Sequence, residues 1–284
     1  MNRTKRSTTF FAMIMVLAIS LCSSCVINGD GEFFSIFSGP KYEEEFHKTV
    51  PLERGGDFIL RNVNGSIIIE TWDREEVEIT AVKTARGNKN NLDRVQIKID
   101  VSDQFVEIDT IYEKRRNLRV SVSYQVLVPE NINLELIRTV NGSIKMKGPF
   151  SDVKAVSTNG GIQLEEAAGY VSLSSTNGSI KAYELKGNIH TGTTNGSILL
   201  EIRSLTDDVT AKTVNGGIKL AFDDFLDADL NLRTSNGKIH VDFPITVENL
   251  RKSRRSLEGR IGKGGPEISL KTVNGSIKLI SLDY

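Results

Sequence analysis

The most regular feature of this chain is an alternation of apolar and polar residues with a period of two. It runs through residues 77–81, 95–101 and 118–128, and Pro129 ends the last of these stretches. A period of two is typical of strands that bury one face and expose the other. Beyond the N-terminal segment, no stretch shows the 3.6-residue period of an amphipathic helix. The alternation therefore predicts an all-β protein, in which the strands before residue 131 are long and charged.

From about residue 131 the alternation becomes a repeat built around the dipeptide Asn-Gly. In each copy an Ile follows two residues after the Gly, and a small polar residue commonly stands two before the Asn. The copies begin at Asn64, Asn141, Asn159, Asn177, Asn195, Asn215, Asn236 and Asn274. Their spacings, by subtraction, are 77, 18, 18, 18, 20, 21 and 38 residues. The last spacing is about two repeat lengths, and the first is about four. A period near 20 indicates a repeat architecture.

Two topologies fit this repeat. Asn-Gly between alternating strands is a strong signal for a tight hairpin, which would give an antiparallel meander. The alternative is a parallel β-helix, or β-solenoid, of about 18–21 residues per coil, with the Asn-Gly bend stacked in register. Identical residues in each copy favour the solenoid, because like side chains then stack and Asn residues can form ladders. A meander would also need a second layer to cover its apolar face.

The same residues resemble the bacterial putative-adhesin family of β-repeat envelope proteins, which is related to the head-GIN adhesin domain. The resemblance covers nearly all of the chain after the N-terminal segment, and its motifs are fold-forming. It rests on residues 55–60 (GGDFIL), 64–67 (NGSI), 71–73 (TWD), 128–129 (VP), the serial T-x-N-G-S-I units and 261–266 (IGKGGP). It implies a right-handed parallel β-helix and offers no catalytic residues.

The first 24 residues have the layout of a secretory signal peptide. Arg3, Lys5 and Arg6 precede an apolar core at residues 10–21, which is too short to span a membrane. Ser23, Ser24 and Cys25 then resemble a bacterial lipobox, although Cys22 stands where Leu is usual. The sequence thus predicts cleavage before Cys25 and its lipidation, with residues 25–40 as a tether. Ordinary cleavage that releases a free secreted protein is the alternative.

Composition places the rest of the chain among globular proteins. Lys plus Arg and Asp plus Glu number 36 each, so there is no net charge to favour nucleic acid, and 39% of residues are hydrophobic. Both cysteines lie in the N-terminal segment, which excludes a disulfide framework. The predicted organisation is an N-terminal strand region at 41–130 that continues into solenoid repeats at 131–284.

Candidate catalytic and metal-binding chemistry is sparse. His47, His190 and His240 lack metal-ligand spacing, so no metal site and no cofactor are predicted. The acidic residues Asp207, Asp208, Asp223, Asp224, Asp227 and Asp229 match no calcium motif and are interpreted as solvated loops. The five Asn-Gly-Ser sequons, at Asn64, Asn141, Asn177, Asn195 and Asn274, are interpreted as structural corners. Trp72 is expected to pack a turn.

Two basic runs interrupt the even charge distribution. They comprise Lys114, Arg115, Arg116 and Arg119, and Arg251, Lys252, Arg254 and Arg255. Both are predicted between strands, as solvated loops or as docking points for anionic polymer or lipid headgroups.

Three functions remain open. The first is a non-enzymatic cell-envelope lipoprotein that presents the solenoid as an adhesin-like binding or scaffold surface for a cell-surface polymer or envelope protein. Its membrane contact would be the lipid anchor, at the outer membrane if the cell is Gram-negative. The second is a polysaccharide-acting β-helix enzyme, which would need converged carboxylates or cations. The third is an accessory protein partner in envelope-stress signalling.

Overall fold

The computed structural model describes residues 40–113, 118–222, 227–253 and 255–282, and these consist almost entirely of strands. The N-terminal strands are β1 (Lys41–Pro51), β2 (Asp57–Arg61), β3 (Ile67–Trp72), β4 (Glu76–Arg86), β5 (Val95–Ser102), β6 (Phe105–Tyr112) and β7 (Val120–Pro129), with a 3-10 helix at Lys89–Arg94. The middle strands are β8 (Asn133–Asn141), β9 (Ile144–Phe150), β10 (Val153–Asn159), β11 (Ile162–Ala167), β12 (Val171–Asn177), β13 (Ile180–Lys186), β14 (Ile189–Asn195), β15 (Ile198–Ser204), β16 (Val209–Asn215) and β17 (Ile218–Phe222). The C-terminal strands are β18 (Ala228–Thr234), β19 (Ile239–Val241), β20 (Thr246–Lys252), β21 (Ser256–Ile261), β22 (Glu267–Asn274) and β23 (Ile277–Ser281).

These strands form two long sheets. Sheet A has the order β1-β4-β7-β3-β9-β11-β13-β15-β17-β23-β19. Sheet B has the order β20-β21-β18-β22-β16-β14-β12-β10-β8-β2-β6-β5. Each repeat contributes one strand to sheet B, turns at its Asn-Gly, and contributes the next strand to sheet A. The chain is therefore a two-sided β-solenoid.

Successive coils stack in parallel and in register. Asn159 of β10 lies beside Asn177 of β12, and Ile162 of β11 beside Ile180 of β13. The solenoid prediction is confirmed. The antiparallel meander is wrong, because Asn-Gly joins strands of two different sheets and does not close a hairpin.

The core lies between the two sheets and is built from the inward half of the alternation. Val171, Leu173, Ile180, Ala182 and Leu185 are all buried, as the pattern predicts. Burying one Val, Leu or Ile side chain contributes roughly 1.5–3 kcal/mol. Because every coil repeats these positions, the core continues without interruption along the stack.

The glycine of each Asn-Gly is required by the close approach of neighbouring coils. A Cβ on Gly178 would lie 2.1 Å from the carbonyl oxygen of Gly160 in the coil below. The same short distance recurs along the stack, so no side chain fits at this corner.

The small polar residue two positions before each Asn is buried and satisfies that glycine carbonyl. Oγ of Ser175 donates to the carbonyl of Gly160 at 3.0 Å, and Oγ1 of Thr193 donates to that of Gly178 at 2.9 Å. In the first copy Asn62 takes this place, and its Nδ2 donates to the carbonyl of Val122 at 2.7 Å. A buried carbonyl left without a donor would cost free energy, which explains why the position is polar inside an apolar core.

The 77-residue spacing before Asn141 does not contain the four coils that its length predicts. The coil of Asn64 stacks directly on that of Asn141, since β2 pairs with β8 and β3 with β9. The intervening chain forms the N-terminal end of the solenoid, where β4 pairs antiparallel with β7, and β5 with β6. Long antiparallel strands thus cover this end of the stack.

The C-terminal coils do not follow chain order. β22 lies between β16 and β18, and β23 lies between β17 and β19, so the Asn274 coil is inserted before the Asn236 coil. The 38 residues from Asn236 to Asn274 do not contain a second coil. They contain the hairpin β20–β21, whose strand β21 pairs antiparallel with β18. The last strand of the chain, β23, therefore lies inside sheet A and not at its end.

The sequence contains a signal for this insertion. Residues 213–220 read TVNGGIKL and residues 272–279 read TVNGSIKL, which differ at one position, whereas the Asn236 coil carries Lys238 and only a three-residue β19. Nearly identical coils stack on one another, and the atypical coil forms the end, as terminal repeats commonly do.

Candidate binding surface

The turn between the sheets carries an exposed ladder of Asn side chains. Except in Asn64, whose Nδ2 donates to the Val120 carbonyl, Nδ2 of each Asn donates to Oδ1 of the Asn in the neighbouring coil at 2.7–2.9 Å. The order is Asn64, Asn141, Asn159, Asn177, Asn195, Asn215, Asn274 and Asn236. Because these amides satisfy one another, the ladder is a structural edge, and binding must be sought on the two faces.

The outer face of sheet A carries interleaved positive and negative side chains. Glu70, Lys147 and Glu165 occupy equivalent positions on β3, β9 and β11, and Nζ of Lys147 lies 4.0 Å from a carboxylate oxygen of Glu165. A shallow cleft of about 270 Å³ lies among these residues. Since the charges largely compensate one another, this part of the face attracts neither sign strongly.

A groove of about 340 Å³ lies where sheet A ends at the second turn of the coil. Phe150 and Ala167 form its buried floor. Its rim carries Glu166, Glu184 and Arg203, and the Arg203 guanidinium donates hydrogen bonds to the Glu184 carboxylate. These hydrogen bonds lower the pKa of Glu184.

Non-glycine residues in the left-handed region concentrate at this groove. Asn131, Glu166 and Glu184 have φ values of 58°, 69° and 56°. The pairing register shifts at both glutamates: opposite Glu166 the extra residue lies on β9, whereas at Glu184 it lies on β13 itself, relative to β15. The ion pair with Arg203 holds the Glu184 side chain to the neighbouring coil, which leaves the groove with a fixed shape.

The outer face of sheet B is flatter and carries small polar side chains. Ser172 and Ser174 of β12 are followed on β14 by His190 and Gly192. Tyr170 is 47% exposed, and its ring centroid lies 5.6 Å from that of His190. Toward the C-terminal end the same rows become cationic, with Lys212, Lys271 and Arg233 on successive strands.

The candidate residues of the sequence do not converge on one site. His190 lies on sheet B and His240 on sheet A, where Nε2 of His240 lies 2.6 Å from Oδ1 of Asp242. Within the residues that the structure describes, no group of three His, Cys, Asp or Glu side chains could hold a metal ion. No described helix has the length and hydrophobicity of a membrane span.

The acidic residues predicted in solvated loops have protein partners, and Asp229 lies on strand β18 and not in a loop, which corrects that prediction. Oδ1 of Asp208 accepts from the backbone N–H of Glu267, and Oδ1 of Asp227 from that of Lys263. Oδ1 of Asp229 accepts from Nε of Arg260 at 3.0 Å. These carboxylates tie loops and strands together, while Asp223 and Asp224 lie outside the described residues.

Trp72 packs against a turn, as predicted. Its Nε1 donates to the carbonyl of Glu76 at 2.8 Å, and the Arg74 guanidinium lies 4.8 Å from the ring centroid. Of the basic runs, Arg251 and Lys252 lie on strand β20 and not between strands, which corrects that prediction. Residues 114–116, Arg254 and the predicted lipidation site Cys25 lie outside the described residues.

A parallel, in-register stack of coils with two extended outer faces defines the class of β-solenoid repeat proteins. The chain belongs to the Toastrack DUF4097 family, whose sequence pattern matches residues 32–280. Membership confirms the resemblance to a bacterial family of β-repeat adhesin-like proteins. No curated protein matches the chain.

Solved structures that match this chain come from several bacteria. A putative adhesin from Bacteroides fragilis is 14% identical with a TM-score of 0.36, and the match covers 84% of this chain and 97% of that one. A putative adhesin from Parabacteroides merdae is 10% identical with a TM-score of 0.37, at the same coverage. A putative lipid-binding protein from Parabacteroides distasonis is 13% identical with a TM-score of 0.32, again at 84% and 97%.

Proposed function

We propose that this chain is a non-enzymatic binding or scaffold protein of the bacterial cell envelope, adhesin-like in that it holds a surface polymer or an envelope protein on the outer faces of the solenoid. The observation that carries the proposal is the register of the stack. Equivalent outward positions recur on every coil at a strand spacing of about 4.8 Å, which presents the outward side chains as a linear array.

Such an array suits many weak contacts along an extended partner. Each contact contributes little, but contacts made by one continuous partner add as linked binding events. Side chains on packed strands also hold their geometry better than side chains on loops. They therefore lose less conformational freedom when the partner binds. Two such rows of neighbouring outward residues cross sheet B. One consists of Ser172, His190 and Thr210, and the other of Ser174, Gly192 and Lys212.

The proposed location is the outer side of a membrane, reached by export and held by a lipid on Cys25. The Cys25→Ala variant tests the anchor. We expect the wild-type chain in the membrane fraction and the variant in the soluble fraction of the envelope. Membrane retention of the variant equal to that of the wild-type chain would exclude lipidation at this residue.

Binding is tested with the purified Cys25→Ala chain, which keeps the whole solenoid and omits the proposed lipid. One arm screens an array of bacterial surface glycans, and the other recovers proteins crosslinked to the chain in intact cells. The proposal expects saturable binding in at least one arm. Absence of saturable binding in both arms, with the chain shown to be folded, would overturn it.

A further inference from the structure

The inserted Asn274 coil brings three cationic side chains together on the outer face of sheet B. Lys212 of β16 lies directly beside Lys271 of β22, which lies directly beside Arg233 of β18. Lys212 and Lys271 are 59 residues apart in the chain, by subtraction. The three residues occupy successive strands at a spacing of about 4.8 Å. We call them, with Val214 and Val273, the cationic strip.

Apolar and hydroxyl side chains flank the three cations. Val214 and Val273, two positions further along the same strands, are 41% and 40% exposed and lie on the same outward side. On the other side of the cations stand Thr210 and Ser269, which are half-buried. The strip therefore combines positive charge, exposed methyl groups and hydroxyl groups on a flat surface.

Few acidic groups compensate this charge. Glu258 of β21 forms an ion pair with Arg233, and Glu267 accepts a hydrogen bond from Nδ2 of Asn231. On the other side, β14 presents only His190, Gly192 and Thr194. Among the ion pairs of the described residues, none involves Lys212 or Lys271. Like charges directly opposite on neighbouring strands repel, so a bound anion would stabilise this pair.

Sheet A provides a contrast within the same coils. Lys219 and Lys278 also lie directly side by side, on β17 and β23. Glu201, however, lies on the neighbouring β15 diagonally from Lys219, and Asp242 directly follows the end of β19. Each face thus carries a pair of adjacent lysines in the same two coils, but only the pair on sheet A has carboxylates placed diagonally from it on the neighbouring strands or directly after them.

We propose that the cationic strip binds an acidic polysaccharide, lying across the strands of sheet B. The inference rests on the proposed envelope-binding function and names the ligand class and its site. The three cations recur at the spacing of neighbouring strands, about 4.8 Å, in a straight row that suits an extended polyanion. Carboxylates on the sugars pair with Lys212, Lys271 and Arg233. The apolar faces of the rings rest on Val214 and Val273, and ring hydroxyls reach Thr210 and Ser269.

Sheet B continues beyond the three cations to the end of the solenoid. In sheet B, β21 and β20 follow β18, and β20 carries Arg251 and Lys252, whose backbone positions pair with Glu258 and Leu257. These two residues of the second basic run therefore lie on the same sheet as the three cations. A nucleic acid is disfavoured as the ligand, because the strip and its flanking residues carry methyl and hydroxyl groups and no aromatic side chain on which a base could stack.

The test measures binding of the Cys25→Ala chain to immobilised polygalacturonate, with neutral dextran, duplex DNA and anionic phospholipid vesicles as comparisons. The double variant Lys212→Gln/Lys271→Gln removes the strip lysines. Its matched control, Lys219→Gln/Lys278→Gln, makes the same charge change in the same coils on sheet A. We expect the strip variant to bind polygalacturonate about tenfold or more weakly, which corresponds to about 1.4 kcal/mol, and the control to remain close to the parent. Added salt should weaken binding of the parent.

Three outcomes would overturn the inference: equal losses in the two double variants, no binding of the parent to polygalacturonate, or tighter binding to DNA or vesicles than to the polysaccharide. Thermal unfolding of both variants shows that they are folded, and removal of a repelling lysine pair should not lower their stability. If the chain does not bind polygalacturonate but binds a neutral glycan or an envelope protein, the inference fails and the proposed function stands.

Discussion

The side-chain amide of Asn177 donates a 2.8 Å hydrogen bond to Oδ1 of Asn159 in the neighbouring coil. Oδ1 of Asn177 in turn accepts from Nδ2 of Asn195 at the same distance. Each interior Asn therefore makes two ladder bonds, whereas Asn236, at the end of the ladder, makes one, to Asn274. The ladder links coils that the chain itself connects only through loops.

Replacing Asn177 by Ala should lower the free energy of unfolding by about 1 kcal/mol, because two exposed hydrogen bonds are lost and each contributes at the low end of its usual range. The matched variant Asn236→Ala loses one bond and should cost about half as much. Urea unfolding of both variants measures the difference. Equal losses at the two positions would show that the Asn acts only on its own turn.

Gly178 cannot carry a side chain without separating two coils. Since its Cβ would lie 2.1 Å from the Gly160 carbonyl oxygen, Gly178→Ala should cost about 3 kcal/mol or more. Gly192 on the following strand is the control, because its Cβ would meet only the carbonyl oxygen of Lys212, at 3.8 Å. Gly192→Ala should stabilise the protein slightly, by about 0.5 kcal/mol. Denaturant unfolding that ranks the two variants in the reverse order would contradict this account of the corner.

Two threonines on one strand should respond to Val in opposite directions. Oγ1 of Thr191 is buried without a hydrogen-bond partner among the described residues, while Oγ1 of Thr193 donates to the Gly178 carbonyl. Thr191→Val replaces the unpaired hydroxyl by a methyl group of similar size and should raise the free energy of unfolding by about 1 kcal/mol. Thr193→Val leaves a buried carbonyl unsatisfied and should lower it by about 1–2 kcal/mol. A loss of stability in both variants would refute the assignment of Thr191.

The Asn-Gly-x-Ile frame was sufficient to predict the coil, because its residues are fixed by contacts that recur in every coil. The inward Ile180 fills the core, Gly178 permits the close approach, and Asn177 bonds to its neighbours. A position with the same contacts in each copy keeps the same residue, and that constancy is visible in the sequence.

The order of the coils was not predicted, because stacking energy depends on the match between coils and not on their distance along the chain. Lys271 is separated from Lys212 by the Asn236 coil and the hairpin β20–β21, and nothing local shows that they become neighbours. The groove was missed for a similar reason. Glu184 meets Arg203 only through a bulge in one of two paired strands, and the alternation does not reveal that bulge.

The ion pair of Glu184 and Arg203 predicts a pH dependence. Hydrogen bonding to Arg203 lowers the pKa of Glu184 below its ordinary value of 4.5, so the pair stabilises the fold at higher pH. That contribution is lost as the pH falls below 4.5 through the pKa of the folded state. Because the pair is partly exposed, its contribution at neutral pH should be about 0.5 kcal/mol.

Glu184→Gln should therefore be less stable than the wild-type chain at neutral pH and equal to it in acid. Unfolding curves recorded from neutral pH to about pH 3 measure this convergence. Glu166→Gln, in the adjacent coil of the same groove, is the control, since no ion pair of Glu166 occurs among the described residues. A difference that persists undiminished in acid would show that packing, and not the charge of Glu184, is responsible.

The inserted coil predicts the effect of removing the C-terminus. A chain that ends at Gly265 lacks β22 and β23, which separate the Asn215 coil from the Asn236 coil. Strand β18 then loses its parallel partner, and β19 loses its only pairing among the described strands. Residues 228–261 should lose their protection from hydrogen exchange, while the coils between β8 and β15 should keep theirs. A solenoid stacked in chain order would instead lose one terminal coil and retain protection at 228–241, so retained protection there would contradict the observed order.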